Sequence, residues 1–328
     1  LIMRDGHRLN CRVYSEANPD FSISLNNIKQ IEILRGPSSS LYGNVALTAV
    51  VNIVTLSADD FNGLQITGGI GNFGQKTSNF IFGSKSDNSD IFIYGTFYKS
   101  DGEERTIPAS QNFSAINRDG KAYLNAFRNT PSYDFGIKYK FNDIIFNFSN
   151  RSGTYVEPLS GGGKTGEIYE YSAIKLFDDI GPGLNSTFTH SGLQKNFTIN
   201  PKLEFSINLY YDANKIHGII NNSPVDTSFS GIKWNEYDLG FITQLGYQYD
   251  LNLGKGNAIL GIQTDYAYMN DAYMVWKSNQ SDQSKINKKN DFRPSAEYKK
   301  ALLEIKTIIE TILKIAIRSS DEFNSISM

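Results

Sequence analysis

The chain has 328 residues, a formal net charge of -2, and a content of 40% hydrophobic and 13% aromatic residues. This composition is typical of a folded protein, and the near balance of charges gives no support for a nucleic-acid partner. The single cysteine, Cys11, excludes an internal disulfide framework and a zinc site built from cysteines. The three histidines, His7, His190 and His217, lie far apart in sequence, so we predict no metal site and no cofactor.

The beginning of the chain carries no targeting signal. No run of about 18 apolar residues occurs, so the sequence predicts no transmembrane helix. No signal peptide is present either. The first residue is Leu1 rather than Met, and it lies inside a predicted strand. We therefore expect that an N-terminal portion, including any export signal, precedes Leu1 in the whole protein.

The most informative segment is a turn-rich stretch between two short strands. It reads Ile-Glu-Ile-Leu-Arg-Gly-Pro-Ser-Ser-Ser-Leu-Tyr-Gly over Ile31 to Gly43, and a β-branched strand follows at Val50 to Thr55. Arg35 places a cation at the end of the first strand. Gly36-Pro37 then turns the backbone, because proline fixes φ and lacks an amide donor. The order of these residues predicts a compact α+β element.

This stretch resembles the end of the plug domain of TonB-dependent outer-membrane receptors, which reads I-E-x-[IV]-x-R-G-P, small residues, L-Y-G and a strand ending N-I-x-T. The matching positions are Ile31, Glu32, Arg35, Gly36, Pro37, Leu41, Tyr42, Gly43, Ala46, Val50, Asn52, Ile53 and Thr55. Upstream, Leu1 to Asn10 is similar to the strand-turn segment of the plug around an Asp-Gly pair. Thr48 and Ala49 stand where the family usually has two glycines, which affects how closely that backbone packs. We assign residues 1–60 to the C-terminal part of a plug domain.

After residue 60 the hydrophobic pattern changes to alternation in segments of about ten residues, which is the signature of a membrane β-barrel. In the clearest segment, Leu203 to Asp212, apolar and polar side chains would lie on opposite faces of one strand. The pattern recurs at Leu239 to Leu251 and at Leu260 to Tyr268. We expect the apolar face to meet lipid and the polar face to meet a wet lumen. Alternation alone also fits a soluble sandwich or barrel with one buried face.

The lengths of the connections favour the membrane barrel. Predicted strands lie near residues 64–71, 76–84, 91–99, 133–141, 144–151, 188–199, 202–212, 236–251 and 258–268. Tight turns at 85–90, 142–143, 200–201 and 252–257 alternate with long connections at 100–132, 152–187 and 213–235. Outer-membrane barrels have short periplasmic turns and long extracellular loops, and plugged transporters have about 22 strands. We therefore predict that residues 61–292 form a partial barrel and that the chain is a fragment.

The C-terminal segment, residues 293–328, has a different pattern. From Ala296 to Arg318 the apolar residues are spaced four and three apart, as on one stripe of a helix. The stripe consists of Tyr298, Leu302, Ile305, Ile309, Ile312 and Ala316. We expect a helical tail, which is either unrelated sequence after a truncated barrel or an amphipathic helix that binds a partner or a membrane surface. The predicted fold is thus mainly β: a small α+β plug fragment, an incomplete antiparallel transmembrane barrel and a helical tail.

Two glycine-rich motifs resemble nucleotide-binding loops without their context. Gly69 to Gly74 matches G-x-G-x-x-G, but a predicted strand follows where a dinucleotide site needs a helix, so we interpret it as a hairpin loop. Gly161 to Thr165 resembles a phosphate loop but lacks its first glycine, where Pro158 stands. No arrangement of serine, histidine and carboxylates supports catalysis, so we predict no catalytic residues and no enzyme.

The resemblance implies a receptor in the outer membrane of a Gram-negative bacterium, surrounded by outer-membrane lipid. Such a receptor takes up a bulky nutrient, such as a ferric siderophore, haem or cobalamin. The TonB complex would supply energy through a box N-terminal to Leu1. The plug apex, formed by Ser38, Ser39, Ser40 and Tyr42, and the long loops would contact the small-molecule chelate.

The resemblance also implies a lock between Arg35 and acidic residues on the inner wall of the barrel. Alternation makes Glu204 and Asp212 the candidate partners on this chain. Pairing with Glu32, or capping of local carbonyl groups, is the alternative role for Arg35. Two other functions remain open: a passive porin or adhesin-type barrel, which would lack the plug sequence, and a non-functional truncated remnant, which would keep it.

Overall fold

The computed structural model describes residues 1–11, 25–36, 48–110, 120–124, 131–156, 183–222, 229–251, 254–277 and 307–319. These residues form a four-stranded sheet, a ten-stranded sheet and a two-stranded hairpin. Across the described ranges, none of the helical segments is both long and apolar enough to cross a membrane. Strands account for most of the described residues, which confirms the mainly β prediction.

The first 55 residues contribute the four-stranded sheet, which we call the N-terminal sheet. Its strands are β1 (Ile2–Arg4), β2 (His7–Arg8), β3 (Ile28–Arg35) and β4 (Ala49–Thr55), and a 3-10 turn at Leu25–Asn27 precedes β3. The strand order is β2-β1-β4-β3, with β1 parallel to β4 and the other pairs antiparallel. Met3 and Val50 are buried together in its core.

The turn between β1 and β2 is a tight one with an unusual backbone. Asp5 and Gly6 both have positive φ, at 50° and 78°. Two successive positive φ values match the two-residue hairpin turn that favours an Asp-Gly pair. The Asp5 amide donates to the Ile53 carbonyl oxygen at 2.9 Å, so the turn is fixed against β4. We call Arg4, Asp5, Gly6 and His7 the hairpin tip.

The ten-stranded sheet, which we call the large sheet, contains most of the remaining described residues. Its strands are β5 (Gly63–Ile70), β6 (Lys76–Lys85), β7 (Ser89–Lys99), β10 (Ser132–Phe141), β11 (Ile144–Val156), β12 (Gly183–Asn200), β13 (Leu203–Asn222), β14 (Phe229–Leu251), β15 (Gly254–Lys277) and β16 (Thr307–Ser319). Neighbouring strands are antiparallel and follow chain order, except that β10 lies beside β7. Strands β8 (Glu103–Thr106) and β9 (Lys121–Leu124) form the separate hairpin.

The two faces of the large sheet differ as the alternation predicts. On β13, Tyr211 is 41% exposed, whereas its neighbour Asp212 is 8% exposed. Leu239 on β14 and Leu260 on β15 are also exposed, at 61% and 50%. A soluble sandwich would bury these apolar side chains, whereas a membrane barrel directs them toward lipid. The exposed apolar face thus favours the membrane barrel over the soluble alternative.

Several strands extend beyond their predicted ends. β13 continues to Asn222 and β14 begins at Phe229, so most of the predicted connection 213–235 is paired strand. Polar residues such as Asn214 gave this stretch a loop-like sequence, but Asn214 is buried on the polar face. The glycine-rich stretch Gly69 to Gly74 lies at the β5–β6 hairpin, as predicted. The second motif, Gly161 to Thr165, lies outside the described residues.

The prediction of a helical tail is wrong for Thr307–Ser319, which forms β16 and pairs antiparallel with β15. The physical reason is composition, because this segment is rich in isoleucine and threonine, whose branched side chains favour strands. Pairing with β15 also provides backbone hydrogen bonds for this segment. The earlier stripe positions Tyr298, Leu302 and Ile305 lie outside the described residues.

Candidate functional site

The hairpin tip of the N-terminal sheet touches the polar face of the large sheet. Arg4 and His7 are directly opposite each other across β1 and β2, so both point to the same side of the tip. Each residue of the tip that carries a charge or an imidazole meets a partner on the large sheet. These contacts are the candidate functional site.

Arg4 forms the most buried contact of the site. Its Nη1 donates to Asp134 Oδ1 at 3.0 Å, and its Nη2 donates to Asp134 Oδ2. The Arg4 side chain is 5% exposed and the Asp134 side chain is fully buried. Burial lowers the pKa of Arg4, but the charge and hydrogen bond of Asp134, together with the nearby Tyr94 and Asp5, outweigh burial and raise this pKa above its ordinary value. The two parallel hydrogen bonds make this a bidentate arginine–carboxylate pair.

A glycine on β10 makes room beside this pair. The Arg4 guanidinium lies 5.4 Å from the centre of the Tyr94 ring on β7. A Cβ atom at Gly136 would lie only 2.6 Å from the Tyr94 hydroxyl oxygen. Because Gly136 has no side chain, the Tyr94 ring has room to make a cation–π contact with the Arg4 guanidinium.

Asp5 makes the second contact and connects three elements. Its Oδ2 accepts from Lys138 Nζ on β10 at 3.0 Å. Both of its carboxylate oxygens accept hydrogen bonds from Thr55 at the end of β4, from the amide at 2.8 Å and the hydroxyl at 2.7 Å. The order of charges on β10, Asp134 and then Lys138, is thus complementary to Arg4 and Asp5, which fixes the register of the tip on the strand.

His7 makes the third contact. Its Nε2 lies 2.6 Å from Asp212 Oδ2 on β13. The other carboxylate oxygen, Asp212 Oδ1, lies 2.7 Å from His190 Nδ1 on β12. The two imidazole rings are 3.9 Å apart between centroids, and the Tyr210 ring meets His7 edge-on at 4.7 Å. Tyr210 in turn donates to Asp265 on β15, so the network reaches three strands of the large sheet.

A cavity of about 100 Å³ lies beside these contacts. Its lining includes Arg4, Asp5 and His7 from the tip and Tyr94, Lys138 and His190 from the large sheet. This space is large enough for a few water molecules and too small for a bulky chelate.

The structure separates the residues of the predicted lock. Asp212 lies on the polar face of the large sheet, where its partners are His7 and His190. Arg35 is exposed at the end of β3, and no salt bridge joins it to Glu32, Glu204 or Asp212 within the described ranges. Glu32 instead accepts from Asn52 Nδ2 at 2.9 Å, and Glu204 is exposed near the start of β13. Residues 37–47 lie outside the described residues, and this range includes the predicted plug apex, Ser38, Ser39, Ser40 and Tyr42. A lock by Arg35 therefore stays a prediction.

Sequence reasoning missed Arg4, Asp5, His7, Asp134, Lys138 and His190. Two signals were available. The Asp-Gly turn is flanked by a cation and an imidazole, and β10 carries opposite charges four residues apart on one face. Neither signal says which strand meets the tip, because that pairing depends on the tertiary arrangement.

Comparisons with known proteins find similarity in sequence and in fold. Residues 1–50 match the family model described as "TonB-dependent Receptor Plug Domain". The vitamin B12 transporter BtuB of Vibrio vulnificus is 24% identical over 169 residues, which cover 49% of this chain and 27% of that protein. The ferric enterobactin receptor of Pseudomonas aeruginosa is 27% identical over 158 residues, covering 45% and 20%. The chain thus spans about a quarter of the length of these relatives.

The fold is similar to a solved structure of the same kind. The ferric citrate transporter FecA in its unliganded form matches with a TM-score of 0.57 and 14% sequence identity. The match covers 86% of this chain and 40% of that one. It extends the similarity from the N-terminal sheet to the large sheet.

Proposed function

We propose that this chain, which carries the plug domain of the TonB-dependent receptors and shares their fold, is part of an outer-membrane receptor for active uptake of a bulky nutrient. One observation carries the proposal. The N-terminal sheet is attached by charged side chains to the polar face of a sheet whose other face is apolar and exposed. This arrangement suits a plug inside a membrane barrel.

The chemistry of the contacts suits a plug that both seals and moves. A wide pore leaks unless something fills it, and an apolar plug would bind its wall by a large dry interface. Polar pairs such as Arg4–Asp134 hold one register, yet water can replace each partner when the plug shifts. We assign the force for that shift to the TonB complex.

The relatives guide the proposed substrate class. One is named as a transporter of vitamin B12 and another as a receptor for ferric enterobactin. We propose a substrate of that kind for this receptor: a ferric siderophore, haem or cobalamin. Residues Ser38, Ser39, Ser40 and Tyr42 at the plug apex, together with the long loops, are its proposed contacts.

The same proposal sets the location and the domains. The exposed apolar side chains of Leu209, Leu239 and Leu260 would contact outer-membrane lipid of a Gram-negative bacterium. Residues 1–60 would act as the plug, 61–292 as part of the barrel wall, and 293–328 as a tail that adds at least one wall strand.

Uptake assays in the source bacterium test this function. Deletion of the gene should reduce uptake of one substrate from a panel of labelled ferric siderophores, haem and cobalamin, and the gene supplied on a plasmid should restore it. Deletion of the gene for TonB should abolish the same uptake. A passive porin would instead give uptake that does not depend on TonB, and this result would contradict the proposal.

A further inference from the structure

Two histidines and one aspartate meet where the hairpin tip touches the large sheet. His7 comes from the tip, while His190 and Asp212 are directly opposite each other on β12 and β13. One nitrogen of each imidazole and one oxygen of the carboxylate all lie within 4.8 Å of one another. Residues far apart in sequence thus converge on one point, although their separation along the chain predicted no metal site.

This set of donors suits a divalent transition metal ion. Imidazole nitrogens and a carboxylate oxygen bind Zn²⁺ and its first-row neighbours, and three protein ligands leave a fourth position open. The adjoining cavity of about 100 Å³, lined by His7 and His190, provides space for a water molecule at that position. Asp212 is buried at 8% exposure, so its charge is compensated only by the groups around it.

We propose that His7, His190 and Asp212 bind one divalent transition metal ion, with Zn²⁺ as the preferred ion, and that this ion ties the hairpin tip to the large sheet. Because His7 belongs to one sheet and the other two ligands to the second, a bound ion bridges them. This role rests on the proposed function, in which the bridge holds the plug in its closed position.

The change from hydrogen bonds to metal ligands is small. In the present arrangement, His7 and His190 lie 2.6 Å and 2.7 Å from the oxygens of Asp212. A tetrahedral zinc ion about 2.0 Å from each donor separates neighbouring donors by about 3.3 Å. These two contacts therefore open by less than about 1 Å, and donors that lie up to 4.8 Å apart close by about 1.5 Å. Each imidazole keeps its proton on the ring nitrogen away from the ion.

Metal binding by the full 328-residue chain in detergent tests the proposal. Zn²⁺ is titrated in competition with a fluorescent zinc chelator, and Co²⁺ serves as a coloured substitute. We expect one ion per chain, with affinity lowered at least about tenfold by His7→Ala, His190→Ala or Asp212→Asn. The matched control, His217→Ala, removes the third histidine of the chain and should leave the affinity unchanged.

Histidine footprinting on the unmodified chain gives a readout that needs no variant. Diethyl pyrocarbonate modifies free imidazoles, and mass spectrometry locates the modified residues. Zn²⁺ should slow modification of His7 and His190 at least about tenfold and leave His217 unaffected. The proposal is wrong if the chain binds no Zn²⁺, or if His7 and His190 are modified equally fast with and without it.

Both measurements use purified protein and involve no transport. Zinc binding with no TonB-dependent uptake in the source bacterium would contradict the proposed function and retain the metal site. TonB-dependent uptake without zinc binding would contradict the metal site and retain the proposed function.

Discussion

Among the contacts of the tip, the buried pair of Arg4 and Asp134 should cost the most free energy when one partner is removed. The Asp5–Lys138 pair is more exposed, and exposed pairs contribute about 0–1 kcal/mol. Removal of one partner from a buried pair typically costs about 3–5 kcal/mol, because the other charge stays buried without compensation.

Cys11, the only cysteine, is buried beside the N-terminal sheet and therefore reports on the opening of that sheet.

The substitution Arg4→Ala should destabilise the seated tip by about 3 kcal/mol, because Asp134 then stays buried without its partner. Modification of Cys11 by a thiol reagent should accelerate about a hundredfold. The double variant Arg4→Ala with Asp134→Ala removes both charges and should recover part of this loss. Equal modification rates in the single variant and the unmodified chain would contradict a seated Arg4.

A second prediction at this scale concerns Arg35, whose lock with the barrel wall is still a prediction. In a complete receptor, Arg35→Ala should loosen the plug and raise the entry of large antibiotics, whereas Arg35→Lys keeps the charge and should change entry less. Antibiotic sensitivity and substrate uptake measure the effect. Unchanged leakage and uptake in Arg35→Ala would contradict the locking role of Arg35. The tip contacts would then be the observed attachment of the N-terminal sheet to the large sheet.

At the scale of elements, the conformation of the β1–β2 turn positions all three contacts. A Cβ atom at Gly6 would meet no atom within 4 Å, so a substitution there acts through backbone conformation rather than through a clash. Its φ of 78° is costly for a β-branched residue and tolerated by asparagine. The cost of a side chain held in this region is about 1–2 kcal/mol.

Gly6→Val should therefore misplace the tip and accelerate modification of Cys11 about tenfold. Gly6→Asn is the matched control, and it should change the rate little. If the tip requires positive φ at Gly6, the rate of Cys11 modification should differ between these two variants. Equal rates would show that the tip does not need this backbone conformation.

The strand β16 shows where sequence reasoning failed at the element scale. Spacing of apolar residues favoured a helix over Ala296 to Arg318, whereas Thr307–Ser319 pairs with β15. The alternating strands, the plug sequence and the outward apolar face could be predicted, because each depends on local periodicity or on a short motif. The availability of a free strand edge could not, since it is a property of the assembled sheet.

Cysteine pairs test β16 directly, in a Cys11→Ser background. Leu260 and Ile315 are directly opposite each other in the ladder, so Leu260→Cys with Ile315→Cys should form a disulfide under mild oxidation. Leu260→Cys with Ile312→Cys shifts the register by three residues and should form none. A disulfide in the shifted pair alone, or in neither pair, would contradict the observed register.

At the scale of the whole molecule, two sheets with different roles meet through a few polar contacts. Local sequence predicted that a plug-like segment precedes barrel strands, and the fold confirms this order. Asp212 was predicted only as a candidate partner of Arg35, and its contact with His7 was not predicted. Arg4 and Asp134 lie 130 positions apart and His7 and Asp212 lie 205 positions apart, and a single sequence carries no signal for such a pairing.

Cross-linking between the tip and β10 tests the central claim, that the N-terminal sheet sits on the polar face of the large sheet. In a Cys11→Ser background, Arg4→Cys is combined with Asp134→Cys or with Phe135→Cys, whose side chain lies on the exposed face. A short thiol-specific cross-linker should join positions 4 and 134 efficiently and leave positions 4 and 135 unjoined. Efficient joining of 4 to 135, or no joining of 4 to 134, would contradict the account.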